Sequence, residues 1–138
     1  MKPVHDTLRD LERGTPFWFT ASGWLVPAGV LGQFLLAGQA LFGGSDFSTH
    51  AILGSLLALP VLVLLLGALS VGCLRGFGWW AGLLAVITLV QFVLAGGDGS
   101  PLLAYHPVNG ALVLVASLVL LAKIERRRAH VQATKGSN

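Results

Sequence analysis

The chain has 138 residues, 54% of them hydrophobic and only 11% charged, with a mean hydropathy of +0.77, a net charge of +3 and a pI near 9.6. Soluble domains carry about a quarter charged residues, so this balance excludes an ordinary soluble domain and points to a membrane protein. The basic excess does not make a nucleic-acid binder: its only dense run, Lys123 to Arg128, abuts an apolar stretch and reads as an anchor against anionic lipid.

Residues 1–16 are polar, with Leu8 and Leu11 as a sparse apolar face, which predicts a cytoplasmic, interfacial segment ending near Gly14. A hydrocarbon core roughly 30 Å thick needs about 20 apolar residues per helix. Four stretches meet that length: 17–42, 51–71, 77–96 and 108–124. None alternates apolar with polar residues as a barrel strand would. The first lacks a small-residue cleavage site and is too long for a signal peptide. The expected fold is therefore an all-α, four-transmembrane-helix bundle made of two helical hairpins, 17–72 and 76–128, followed by a mobile cytoplasmic tail at 129–138.

Pro16 suits the first turn of helix one. Pro27 and Pro60 fall inside helices one and two and predict kinks. Trp18, Trp24, Trp79 and Trp80 sit towards one interface. All nine Lys and Arg fall on one side of the four-span layout: Lys2, Arg9 and Arg13 before helix one, Arg75 between helices two and three, the rest after helix four. The positive-inside rule then places both termini in the cytoplasm of a bacterial-type inner membrane. Cys73 is the only cysteine and has no intrachain partner.

Within the spans one phrase is written twice. Gln33-Phe-Leu-Leu-Ala-Gly38 recurs as Gln91-Phe-Val-Leu-Ala-Gly96, and each copy leads through a loop without Lys or Arg to a histidine in the form HxxxG: His50 with Gly54, His106 with Gly110. The repeated order of glutamine, loop, histidine and glycine predicts a duplicated helical hairpin with an internal two-fold axis. The two histidines then lie at equal depth near the outer face, each with a glycine one turn deeper on the same helix face.

Two imidazoles converging in a bundle core suit the axial positions of a haem iron. Without CxxCH, the ordinary covalent c-type attachment is excluded, so one non-covalent haem per chain is expected, haem b or a modified relative. His50 and His106 are its expected ligands, with Gly54 and Gly110 admitting the ring and Gln33 and Gln91 lining or bracing the pocket. Zinc would want a third or fourth ligand that the sequence does not place nearby. A pair of purely structural or interfacial histidines is the competing reading, with a proton or other metal role as the third. Asp46 is either a solvated loop acid or a group orienting His50. Helix four starts either at Ser100-Pro101, with an interior Pro107, or at His106-Pro107.

Gln33 with FLLAGQALFGG, His50 to Gly54, and Gln91 with His106-Pro107-Val108-Asn109-Gly110 together resemble one four-helix half of the haem A synthase family, and are similar in layout to small four-helix b-type cytochromes. The resemblance spans about residues 30–125. It implies His50 and His106 as haem ligands. One haem near one face fits electron exchange with a quinol, an outer-face redox protein or a partner membrane subunit, and a homodimer is a further expectation. A haem-dependent oxidoreductase and a cofactor-free accessory subunit stand as alternatives.

Overall fold

The structure, a computed structural model, describes residues 7–8, 10–96 and 101–136. Five α-helices build it: α1 (Phe17–Phe42), α2 (Ser48–Leu56), α3 (Ala58–Ser70), α4 (Gly78–Ala95) and α5 (His106–Gly136). Short 3-10 turns occupy Leu11–Arg13, Gly72–Phe77 and Pro101–Tyr105, and no strand occurs among the described residues. Four segments are long and apolar enough to cross a membrane: Phe17–Phe42, Ser48–Ser70, Gly72–Ala95 and Pro101–Gly136. The chain is a multi-pass, all-helical membrane protein.

The proline expectations divide. Pro27 sits buried inside α1 without interrupting it. Helix two instead divides at Leu57, three residues before Pro60. Proline lacks the N–H that would reach the carbonyl of Leu56, and its ring crowds the same turn. Span hydroxyls are satisfied within their own helices: Ser22 donates to the Trp18 carbonyl at 2.9 Å and Thr88 to that of Leu84 at 2.8 Å. In lipid an unmet hydroxyl is costly, so this back-bonding lets Ser and Thr sit in a span.

The spans close a ring in which α1 packs on α3 and α5, and α4 packs on α3 and α5. Glycines permit close approach. An added Cβ at Gly23 would stand 2.8 Å from Ile124 Cδ1, and one at Gly67 2.7 Å from the Trp18 ring. Phe19, Leu64, Phe77, Leu84, Leu120 and Ile124 form the centre of the core, each 0–1% exposed.

That core fills one half of the bundle. The packed half contains Arg13, Arg75 and the basic part of α5, and is called the basic end below. Nothing in α1 beyond Val30 is buried, nothing in α2, and nothing in α4 beyond Leu84. In the opposite half only α5 keeps buried positions, at Asn109 and Gly110.

Two sequence expectations change at the basic end. The residues read as a tail continue α5 as regular helix to Gly136, because Ala129 to Lys135 contains no helix breaker. Arg127, read as part of a lipid-facing anchor, is fully buried and donates to the backbone carbonyls of Thr7, Asp10 and Gly14 at 3.0, 2.9 and 3.2 Å. It ties the segment before α1 to α5. Asp10 and Gly14, both with positive φ, turn that segment so that its carbonyls converge on the guanidinium. The described part of that segment contains a short 3-10 helix, Leu11–Arg13, that ends at Gly14. Nearby, Trp24 donates to Glu125 at 2.9 Å and the Lys123 ammonium lies 4.7 Å over the Trp80 ring.

Candidate functional site

At the end opposite Arg127, the loop after α1 is closed by Asp46, whose carboxylate accepts from the Ser48 backbone N–H at 2.9 Å and from the Ser48 hydroxyl. These bonds hold the Asp46 carboxyl below its usual range. They also engage it beside the start of α2, and no hydrogen bond joins it to His50 among the described residues.

His50 lies in the first turn of α2. Its Nδ1 is 3.1 Å from the Gln33 carbonyl oxygen, while Gln33 Nε2 donates to the His50 carbonyl at 2.9 Å. Phe47 meets the same ring edge-on, with centroids 5.8 Å apart. With Nδ1–H given to Gln33, Nε2 of His50 is the nitrogen left with a lone pair.

His106 is the first residue of α5, after the 3-10 turn Pro101–Tyr105. Both readings of this start therefore meet in part: Pro101 opens the turn and His106 opens the α-helix. Ser100, the cap in the earlier-start reading, lies outside the described residues. Gln91 Nε2 stands 3.1 Å from His106 Nε2, and Gln91 Oε1 accepts from Asn109 Nδ2 at 2.7 Å. Asn109 also donates to the Ile87 carbonyl at 3.0 Å. With Gln91 Oε1 taken by Asn109, its amide nitrogen faces the ring and can only donate to His106 Nε2, so the neutral ring carries its proton on Nδ1. That Nδ1 is buried without a hydrogen-bond partner among the described residues, as is Gln33 Oε1.

The two hairpins thus share a pattern. In each, the glutamine of the first helix bonds to the histidine residue of the second. In each, the glycine one turn on receives that glutamine: an added Cβ at Gly54 would stand 3.2 Å from Gln33 Nε2, and one at Gly110 3.2 Å from Gln91 Nε2. The bare backbone expected to admit a ring is covered by an amide in both places. Phe34 also reaches Gly110, 3.6 Å from the same virtual atom, and so joins the hairpins.

Across the bundle the His50 and His106 rings face each other with centroids 6.1 Å apart and planes inclined at 60°. All six residues singled out in the sequence are brought into one cluster. No set of three or more His, Cys, Asp or Glu suited to a metal occurs among the described residues. Sequence reasoning missed Phe34 and Phe47, which lie next to Gln33 and three residues before His50. It named Asn109 only as a shallow lining group, although an amide directly after HPV on a buried helix face signals a polar clamp.

The profile of a family of unknown function (DUF6220) matches residues 33–100. The stretch includes Gln33, His50, Gly54 and Gln91 and ends short of His106 and Gly110. No curated protein and no solved structure matches the chain.

Proposed function

We propose that the protein is a membrane-embedded cytochrome of b type, with one haem b held between His50 and His106 at the end opposite the basic residues. The observation that carries this is the 6.1 Å between imidazole centres, in a half of the bundle with almost no core of its own. Two imidazoles that shared one metal, at nitrogen–metal bonds of about 2.0–2.1 Å, would have their centres at a separation of this order. His50 already has the arrangement expected of a ligand, with Nδ1 fixed by a backbone carbonyl and Nε2 free. His106 would offer its Nε2 lone pair once the Gln91 amide turns aside, its proton staying on Nδ1. Gln33 and Gln91 position both rings from the neighbouring helix.

When bound, such a haem would supply one-electron transfer, with His50 and His106 as the residues that would hold it. The residues around it hold the rings, fix their tautomers and limit water; exchange with a quinol or a redox protein at that face fits a single site near one surface. The distribution of Lys and Arg supports cytoplasmic termini in a bacterial-type inner membrane, and the matching Gln–His–Gly geometry supports hairpin duplication.

A second reading, a cofactor-free accessory subunit, is favoured by the amide caps on Gly54 and Gly110, which complete two interlocks without any ligand. Spectra separate the two. Protein purified in detergent from haem-replete cells is expected to show reduced-minus-oxidised haem bands. His50→Ala and His106→Ala should each abolish them while helical circular dichroism is retained. A colourless wild-type preparation favours the accessory reading.

A further inference from the structure

The two hairpins repeat the same residues but do not end in the same bonds. His50 gives its Nδ1–H to the main-chain carbonyl of Gln33 at 3.1 Å, which leaves the Nε2 lone pair bare. At His106 it is Nε2 that is engaged, 3.1 Å from Gln91 Nε2. A difference one helical turn on accounts for this. In HAILG and HPVNG the third residue after histidine is Leu53 in the first copy and Asn109 in the second.

Asn109 sets the polarity of the whole chain of bonds. The Ile87 carbonyl can only accept, so the Asn109 amide turns its nitrogen towards it, at 3.0 Å. The second N–H of that nitrogen meets Gln91 Oε1 at 2.7 Å, and the Gln91 amide nitrogen is left aimed at the imidazole. Leu53 has no such donor. Gln33 Oε1 accordingly has no partner among the described residues, and its amide nitrogen serves the His50 carbonyl instead of a ring. The imidazole of His106 gains little from its arrangement. Its proton sits on a buried Nδ1 that meets no acceptor among the described residues, and an unmet buried donor is costly. The clamp from Asn109 maintains it.

We infer that Asn109 is a positioning residue that, through Gln91, withholds the His106 lone pair, so that His50 is the ready ligand to a haem and His106 joins only against the pull of the amide. The competition with haem rests on the haem reading; the withheld lone pair does not.

The test uses the full chain in detergent. In haem-free protein, diethyl pyrocarbonate, which acylates an imidazole through its lone pair, is followed at each histidine by mass spectrometry. Gln91→Met removes the cap and should speed modification of His106 on the order of fivefold, the weight of one ordinary hydrogen bond, with the His50 rate unchanged. Asn109→Leu, which installs the residue of the first hairpin, should reach the same rate, and the double variant should be no faster than either. In haem-loaded protein, spectral titration should show haem held on the order of fivefold more tightly by Asn109→Leu than by wild type. Acceleration by Gln91→Met alone removes the role of Asn109. Equal acceleration at both histidines, additive effects in the double variant, or an unchanged haem affinity also overturns the assignment. Colourless protein that shows the selective acceleration keeps the withheld lone pair and removes the haem reading; coloured protein without it removes this inference alone.

Discussion

The two halves of this bundle are built on different principles. At the basic end, Phe19, Leu64, Phe77 and Ile124 interdigitate with almost no exposure, and aromatic rings meet at 5.4 and 5.7 Å between Phe19, Phe77 and Trp18. At the histidine end, neighbouring helices are joined by amide–imidazole and amide–carbonyl bonds, with apolar side chains largely turned outward. Hydrophobic burial adds little between helices already in hydrocarbon, so the packed half is held by dispersion in a close fit and the open half by polar bonds. A dense half gives a rigid base; a sparsely packed half leaves room for a ligand.

The sharpest way to break this contrast is truncation of the core. Phe77→Ala should cost about 3 kcal/mol in reversible denaturation, while Phe42→Ala, at a 90% exposed site, should stay within about 0.5 kcal/mol. Equal effects would mean that the halves do not differ in packing.

Arg127→Met removes three bonds to backbone carbonyls. Loss of about 2–3 kcal/mol is expected from hydrogen bonds to a charged group, together with proteolytic cleavage near residues 7–14 under conditions where wild type is resistant. Arg127→Lys, unable to span all three carbonyls, should fall between.

Glycine substitutions sharpen the contrast further. Gly67→Ala drives a methyl to 2.7 Å from the rigid Trp18 ring and should destabilise by about 1–2 kcal/mol. Gly38→Ala, in the open half with nothing within 4 Å of the new atom, should stabilise by about 0.5–1 kcal/mol through helix propensity. Thermal melts of both variants decide it.

The smallest effect concerns Asp46. Its folded pKa is depressed by the bonds from Ser48, so its contribution to the α2 start is full above the unfolded carboxyl value, about 3.9, and fades as pH falls through the folded one. A carboxyl titration followed by NMR should show a midpoint below that reference, and Ser48→Ala should raise it.

Some of this was legible in the chain and some was not, for identifiable reasons. α1 begins and ends where expected, between Pro16 and Gly43, because an apolar run bracketed by proline and glycine leaves little choice. α5 outran its expected end because a polar composition was taken for the absence of helix, although Glu, Arg, Ala and Gln are good helix formers. Arg127 was hidden by its neighbours: in a run of charges each residue looks solvated. Its spacing was the clue, since Val113, Ala116, Leu120 and Ile124 form a buried stripe that Arg127 continues at the next helical step. Gly54 and Gly110 were recognised as bare surfaces, but a bare surface does not name its occupant.

The linear chain by itself determined four membrane-length helices, because the thickness of hydrocarbon and the cost of an unmet peptide group leave an apolar run of that length no other stable form. It also marked the six residues of the cluster, because a polar side chain or a glycine inside such a run stands out against uniform leucine and valine. Only the tertiary structure decided which partner each one meets: that His50 and His106 face each other, that both glutamines cover the glycines, and that the core lies at one end. Those outcomes depend on how two helices cross and which rotamers fit between them, a property of pairs of surfaces that no single stretch of sequence contains.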